Sequence, residues 1–246
     1  MESLALLFGL IVGSFINVLV VRTHTHEGMW GRSKCPHCGT YLAWYELIPI
    51  VSFLLQRGQC RTCALHISLQ YPLVEAATAL GFLGIAAWSP ASLVVWMSGV
   101  YAVSVAIVAY DLLYREIPDS FVAVLAVFAV LGLFLFWRDT ILVRVLSGLG
   151  FSAFFLLLYL LSRGRWIGGG DIKLAFVLGL LVGWPLVLVL FLSTYVVGAI
   201  VAGLLLLFRR VQRGSPLPFA PFLIVSLFLT FFWGNDLMNW YLELLF

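Results

Sequence analysis

The chain has 246 residues, 63% of them hydrophobic and only 10% charged, with a mean hydropathy of +1.09, whereas a soluble domain is roughly 45–50% apolar and about 25% charged. That composition excludes an ordinary soluble protein, and with 20 Phe and 9 Trp it also excludes a disordered chain. Fourteen Lys and Arg against eleven Asp and Glu give a net charge of +3, too small to argue for a nucleic-acid partner.

A helix needs about 20 apolar residues to cross the bilayer core. Candidate runs fall near residues 3–21, 68–88, 91–112, 120–137, 141–162, 171–184, 186–208 and 218–234. No charge occurs between Leu174 and Phe208, and as one helix that stretch would rise about 52 Å against a hydrocarbon core of roughly 30 Å. Trp184-Pro185 is therefore expected to divide it. With eight crossings, the loops at 22–67, 113–119, 163–173 and 209–217 share one side and hold twelve of the fourteen basic residues, leaving only Arg138 and Arg144 opposite. A single crossing over 174–208 would move Arg209, Arg210 and Arg213 across and make the split nine to five. The positive-inside rule thus predicts these loops to be cytoplasmic and both termini outside.

The predicted architecture is an all-α polytopic membrane protein with about eight transmembrane helices. A first helix covers 1–22, a small cytoplasmic loop domain 23–67, a membrane core 68–234, and an interfacial C-terminal segment 235–246. The first span opens with Glu2 and has no basic residue before its apolar run, so it is expected to be retained rather than cleaved as a signal peptide.

All four cysteines lie in the loop domain, as Cys35-Pro36-His37-Cys38 and Cys60-Arg61-Thr62-Cys63. Two Cys-x-x-Cys knuckles can present four sulfurs to one zinc ion. Two disulfides are the competing reading, which a reducing, cytoplasmic side disfavours. Four thiolates leave no open coordination position, so the zinc is expected to be structural and to supply folding energy to a segment too small for a core of its own. His37 is expected beside the ion or at the surface rather than as a ligand.

Acidic residues near apolar spans are costly and become functional candidates. Asp111 falls near the cytoplasmic end of the third span, and Asp171 follows Gly168-Gly169-Gly170 at the cytoplasmic start of the sixth. Antiparallel helices would bring these carboxylates to one depth, as an aspartyl protease requires: one ionised carboxylate activates water while the other donates a proton to the scissile carbonyl. The glycines would let an extended substrate approach and let the helix start shift. Asp171 also fits a helix N-cap, and Asp119 after Pro118 reads as a cap. Glu75 is read either as a partner of Asn17 or Gln70 or as a substrate contact.

Gly13-Ser14-Phe15-x-Asn17-Val18, the paired Cys-x-x-Cys knuckles, Glu46-x-x-Pro49-x-x-Ser52, Tyr71-Pro72-x-Val74-Glu75 and Gly168-x-Gly170-Asp171-x-Lys173-Leu174 together resemble the bacterial type IV prepilin peptidases, aspartyl proteases of the GxGD class. The resemblance runs from the first span to about Gly183 and implies cleavage of the leader of type IV prepilins and type II secretion pseudopilins at the inner membrane. It assigns Asp111 and Asp171 as the catalytic pair, Gly168, Gly169, Gly170 and Lys173 to the active-site loop, and Asp119 to the turn. It further implies N-methylation of the new N-terminus with S-adenosyl-L-methionine, with Asn17, Arg22, Glu46 and Glu75 as candidates for methyl transfer or polar support. One departure is Leu112-Leu113-Tyr114-Arg115-Glu116-Ile117-Pro118, which lacks the second acid many members carry two residues after the first catalytic Asp; this implies an altered leader preference.

Other classes fit less well. A zinc metalloprotease would need an open site and usually His-Glu-x-x-His, which the sequence lacks. A proton-coupled transporter could relay protons through Asp111 and Asp171, but would be expected to carry inverted repeats or midplane acids. An assembly scaffold would leave the acids without a purpose.

Overall fold

In the computed structural model the apolar runs are α-helices, described over residues 2–28, 31–209, 212 and 217–245. Packing divides the chain into two compact units, Met1–Ala109 and Tyr110–Phe246. The boundary falls inside one helix rather than at either end of the polar loop.

The first unit is built on α1 (Glu2–Thr25) and α3 (Gln70–Trp88), followed by most of α4 (Ala91–Tyr114). Gly9 and Gly13 set the α1–α3 spacing, because a Cβ on either would stand 2.6 Å from the Ala79 Cα or 2.7 Å from the Glu75 Cα. Small residues four apart allow two helix backbones to approach this closely within a bilayer. The intervening loop contains a 3₁₀ turn, Trp44–Leu47, and the single-turn helix α2 (Val51–Leu55). It belongs to this unit along with the helices that flank it.

The second unit contains the last turn of α4 with α5 (Asp119–Phe136), α6 (Ile141–Ser162), α7 (Gly169–Val182), α8 (Val187–Leu207) and α9 (Ala220–Leu245). Among the described residues, seven helices are long and apolar enough to cross a membrane: α1, α3, α4, α5, α6, α8 and α9. The expected eighth, α7, has 14 residues and rises only about 21 Å, so its length does not by itself establish a crossing. Gly168, extended at φ −78° and ψ 154°, opens α7, and Gly183 at φ 74° closes it ahead of Trp184-Pro185. Nine of its fourteen residues are buried, and α5, α6, α8 and α9 all pack against it. A helix enclosed by protein does not need the length that lipid would demand.

At the far end of α7, Arg144 of α6 donates from Nη1 to the Leu181 and Leu180 carbonyls at 2.6 and 3.3 Å, and its guanidinium lies 3.8 Å over the Trp137 ring. These are carbonyls that a helix C-terminus leaves without intrahelical partners. Trp184-Pro185 does divide the long uncharged stretch, between α7 and α8. The segment 235–246, expected to lie apart along the interface, continues α9 without a break through Leu245. Arg210 and Arg213, counted among the basic loop residues, lie outside the described residues.

Candidate functional site

The two knuckles fold alike. Cys35 N–H donates to the Thr40 carbonyl and Cys60 N–H to the Leu65 carbonyl, each at 2.9 Å; Gly39 and Ala64 return bonds to the Cys35 and Cys60 carbonyls, also at 2.9 Å. Gly39 (φ 73°) and Ala64 (φ 57°) hold the left-handed conformation that this turn requires. Single antiparallel bridges, Lys34 to Tyr41 and Gln59 to His66, close each knuckle. The four cysteine Sγ atoms lie within 4.8 Å of one another, and none is in a disulfide. Tetrahedral thiolates on zinc stand about 3.8 Å apart with bonds of about 2.3 Å, so a small contraction of the cluster would satisfy the ion. Hydrogen bonds from the Thr40 side chain and backbone lower the Cys38 thiol to about 6, favouring the thiolate that binds metal, whereas at Cys63 the Leu65 backbone bond is outweighed by burial and the neighbouring sulfurs, which push the thiol up to about 11.

Beside this cluster is a cavity of about 720 Å³, whose lining includes Asn17, Arg22, Glu46, Glu75, Cys35 and Cys60. All four residues assigned to methyl transfer by resemblance therefore share one wall-set. Asn17 donates to the Tyr71 carbonyl at 3.0 Å and accepts from Gln70 at 3.4 Å. Arg22 is buried and donates to the Gly28 and Gly31 carbonyls at 3.3 and 3.0 Å, so it shapes the loop. Glu46 accepts the Ala43 N–H at 2.8 Å. Glu75 is not paired with Asn17 or Gln70: its Oε2 accepts the Ile50 N–H at 2.7 Å, and Ser14 also bonds it. Asn17 and Gln70 instead bond each other.

Asp111 and Asp171 both belong to the second unit and are 5% and 8% exposed. Asp171 is the third residue of α7, not its cap; its Oδ2 reaches back to the Gly168 N–H at 3.0 Å. Asp111 Oδ2 accepts the Ala220 N–H at 3.1 Å. The two carboxylates interact electrostatically. Arg115, four residues beyond Asp111, turns away into the loop at φ 57° and forms no ion pair with it among the described residues.

The surrounding residues have more specific duties than the sequence suggested. A Cβ on Gly170 would stand 2.9 Å from the Ile117 side chain, so this glycine makes room for the turn after Asp111. Gly169 alone of the three faces open space. Asp119 makes no cap; both its oxygens pair with Lys173 Nζ, at 2.7 and 2.8 Å. A groove of about 460 Å³ lies behind this pair, between Val122 and Ala126 of α5 and Phe176 and Val177 of α7. The Ala220 donor escaped the sequence reading, in which the resemblance ends at about Gly183. Its one signal is Pro218-Phe219-Ala220-Pro221, where proline in the first turn marks a helix start with unpaired N–H groups.

Residues 7–89 match the bacterial peptidase A24 N-terminal domain and residues 98–203 the type IV leader peptidase family. The Aeromonas hydrophila prepilin leader peptidase/N-methyltransferase is 32% identical over 98% of this chain and 93% of its own. The protein of the same name from Bacillus subtilis (strain 168) is 30% identical over 99% of both, and that from Burkholderia pseudomallei 33% identical over 95% of this chain and 85% of its own. No solved structure matches. The transporter alternative finds no support among these relatives. Paired buried acids behind a glycine turn, a four-cysteine cluster and near-complete coverage by these relatives agree: the chain belongs to the type IV leader peptidase family.

Proposed function

We propose that this chain is a bifunctional prepilin leader peptidase and N-methyltransferase. Cleavage is assigned to Asp111 and Asp171, and the observation that carries this reading is their shared burial in one unit, where the Asp111 charge acts on Asp171. Two carboxylates close enough to share a proton titrate as a unit. The ionised member takes a proton from water as it attacks the scissile carbonyl, and the protonated member donates to the carbonyl oxygen. Each carboxylate is held through Oδ2 by a backbone N–H, which orients its other oxygen without another charge.

Methyl transfer is assigned to the cavity lined by Asn17, Arg22, Glu46 and Glu75. Its volume falls within the range of about 300–1,000 Å³ usual for small-molecule sites. The buried polar side chains Asn17, Arg22 and Glu75, with Cys35 and Cys60, in its lining suit a polar, charged ligand. When bound, S-adenosyl-L-methionine supplies the methyl group. Cys35, Cys38, Cys60 and Cys63 would hold zinc, which closes the loop around the cavity and leaves no position for a catalytic water.

The substrates on this reading are prepilins and pseudopilins in the bacterial inner membrane, with the loop and both Asp residues at the cytoplasmic face. The concentration of basic residues in the loops supports that orientation. Purified protein incubated with a prepilin and labelled S-adenosyl-L-methionine tests both halves. A shortened, methylated product is expected; an intact prepilin overturns the assignment.

A further inference from the structure

Ile50 has φ 59° and ψ −49°, and the Val51 N–H closes onto the Pro49 carbonyl across it. This is the classic γ-turn, which is rare and strained, and it is especially unfavourable for a β-branched residue. Such a conformation persists only where neighbouring groups hold it. The group that does so is Glu75, buried on α3, whose carboxylate accepts the Ile50 N–H at 2.7 Å. Glu75 is itself fixed. The close approach at Gly13 leaves no room for its backbone to move toward α1, and Ser14 of α1 bonds its carboxylate. A rigid helix pair therefore determines the shape of a loop segment whose flanks, Glu46, Leu47, Ser52 and Phe53, line the 720 Å³ cavity.

We propose that Glu75 is a positioning residue for methyl transfer: it clamps the Ile50 γ-turn and so shapes the 46–53 wall of the cavity, without itself acting on the methyl group or its acceptor. The proposal rests on the reading of that cavity as the methyl-transfer site. An amide oxygen accepts the same N–H, so Glu75→Gln keeps the clamp. Glu75→Leu removes it. Glycine adopts positive φ without a Cβ penalty, so Ile50→Gly makes the turn independent of the clamp.

The test measures methyl transfer to a cleaved pilin and hydrogen exchange over residues 46–53 in the full-length, zinc-loaded protein. Glu75→Leu should lower methyl transfer roughly tenfold or more, the scale of a lost hydrogen bond to a charged group, and should speed exchange in 46–53. Glu75→Gln should remain within about threefold of the parent. Adding Ile50→Gly to Glu75→Leu should restore most of the transfer, a non-additivity expected of coupled sites. If Glu75→Gln is as inactive as Glu75→Leu while 46–53 stays protected, the carboxylate acts directly and the proposal is overturned. It also fails if Glu75→Leu leaves exchange in 46–53 unchanged. Faster exchange with undiminished methyl transfer would instead overturn the assignment of the cavity and leave the clamp standing.

Discussion

Lys173 Nζ lies 2.7 and 2.8 Å from the two carboxylate oxygens of Asp119, joining the second residue after Asp171 to the first residue of the helix that follows the Asp111 turn. The side chains are 56% and 73% exposed, so the pair acts as a tether of modest strength, worth about 0–1 kcal/mol. Lys173→Ala should therefore lower prepilin kcat/KM by at most about fivefold, the kinetic equivalent of that energy. The double exchange Asp119→Lys with Lys173→Asp should recover much of the loss. A Lys173→Ala enzyme as inactive as an Asp171 variant would show that Lys173 touches the substrate instead.

Asp111→Asn and Asp171→Asn should each reduce leader cleavage by roughly 10²–10⁴-fold, the usual contribution of a positioned acid or base. Asparagine can still accept the Gly168 or Ala220 N–H through its amide oxygen, so both variants should remain inserted and zinc-loaded. Methylation of a pilin already freed of its leader is the accompanying measurement, and it should survive in both.

Ala220 is the first residue of α9, a position where proline is tolerated because the N–H there has no intrahelical partner. Ala220→Pro removes the donor to Asp111 and sets a ring methylene against the carboxylate. Cleavage should fall by about tenfold or more, the scale of a hydrogen bond to a charged group. Ala220→Gly, which keeps the N–H, should stay near the parental rate. Equal activity in the two variants would mean that Asp111 does not depend on α9.

Removing Arg144 leaves the Leu180 and Leu181 carbonyls without their donor at the end of α7. Arg144→Leu should cost about 1–3 kcal/mol of stability, read as an earlier thermal unfolding midpoint in detergent. Gly183→Ala should act in the same direction, because a Cβ there would stand 2.9 Å from the Arg144 Cγ and φ is 74°. A midpoint unchanged by both substitutions would remove the guanidinium from the support of α7.

Cys60→Ser with Cys63→Ser should release zinc, since serine offers no thiolate. Residues 26–69 should become sensitive to protease, because metal binding and loop folding are one free energy. Methyl transfer should fall further than cleavage. Metal content, cleavage and methylation on one preparation give the comparison, and loss of cleavage with methylation intact would reverse the assigned roles.

The membrane class, the approximate helix positions and the thiol cluster can be read from the order of residues. Those properties are written locally: apolar runs of bilayer length, a proline that ends a helix, and cysteines three residues apart. The same order marks Asp111 and Asp171, because an acid beside an apolar span stands out by residue type alone.

What holds those residues in place depends on contacts between segments distant in the chain. Asp111 is bonded to Ala220, 109 positions away, and Glu75 to Ile50, 25 positions away, through backbone N–H groups. Every residue except proline offers such a donor, so no residue type announces it. The same holds for Gly170, whose missing side chain is filled by Ile117, and for α7, whose shortness is tolerable only because four helices enclose it. Partners of this kind are chosen by where two segments meet in space, and a pattern of residues along one segment carries no record of the other.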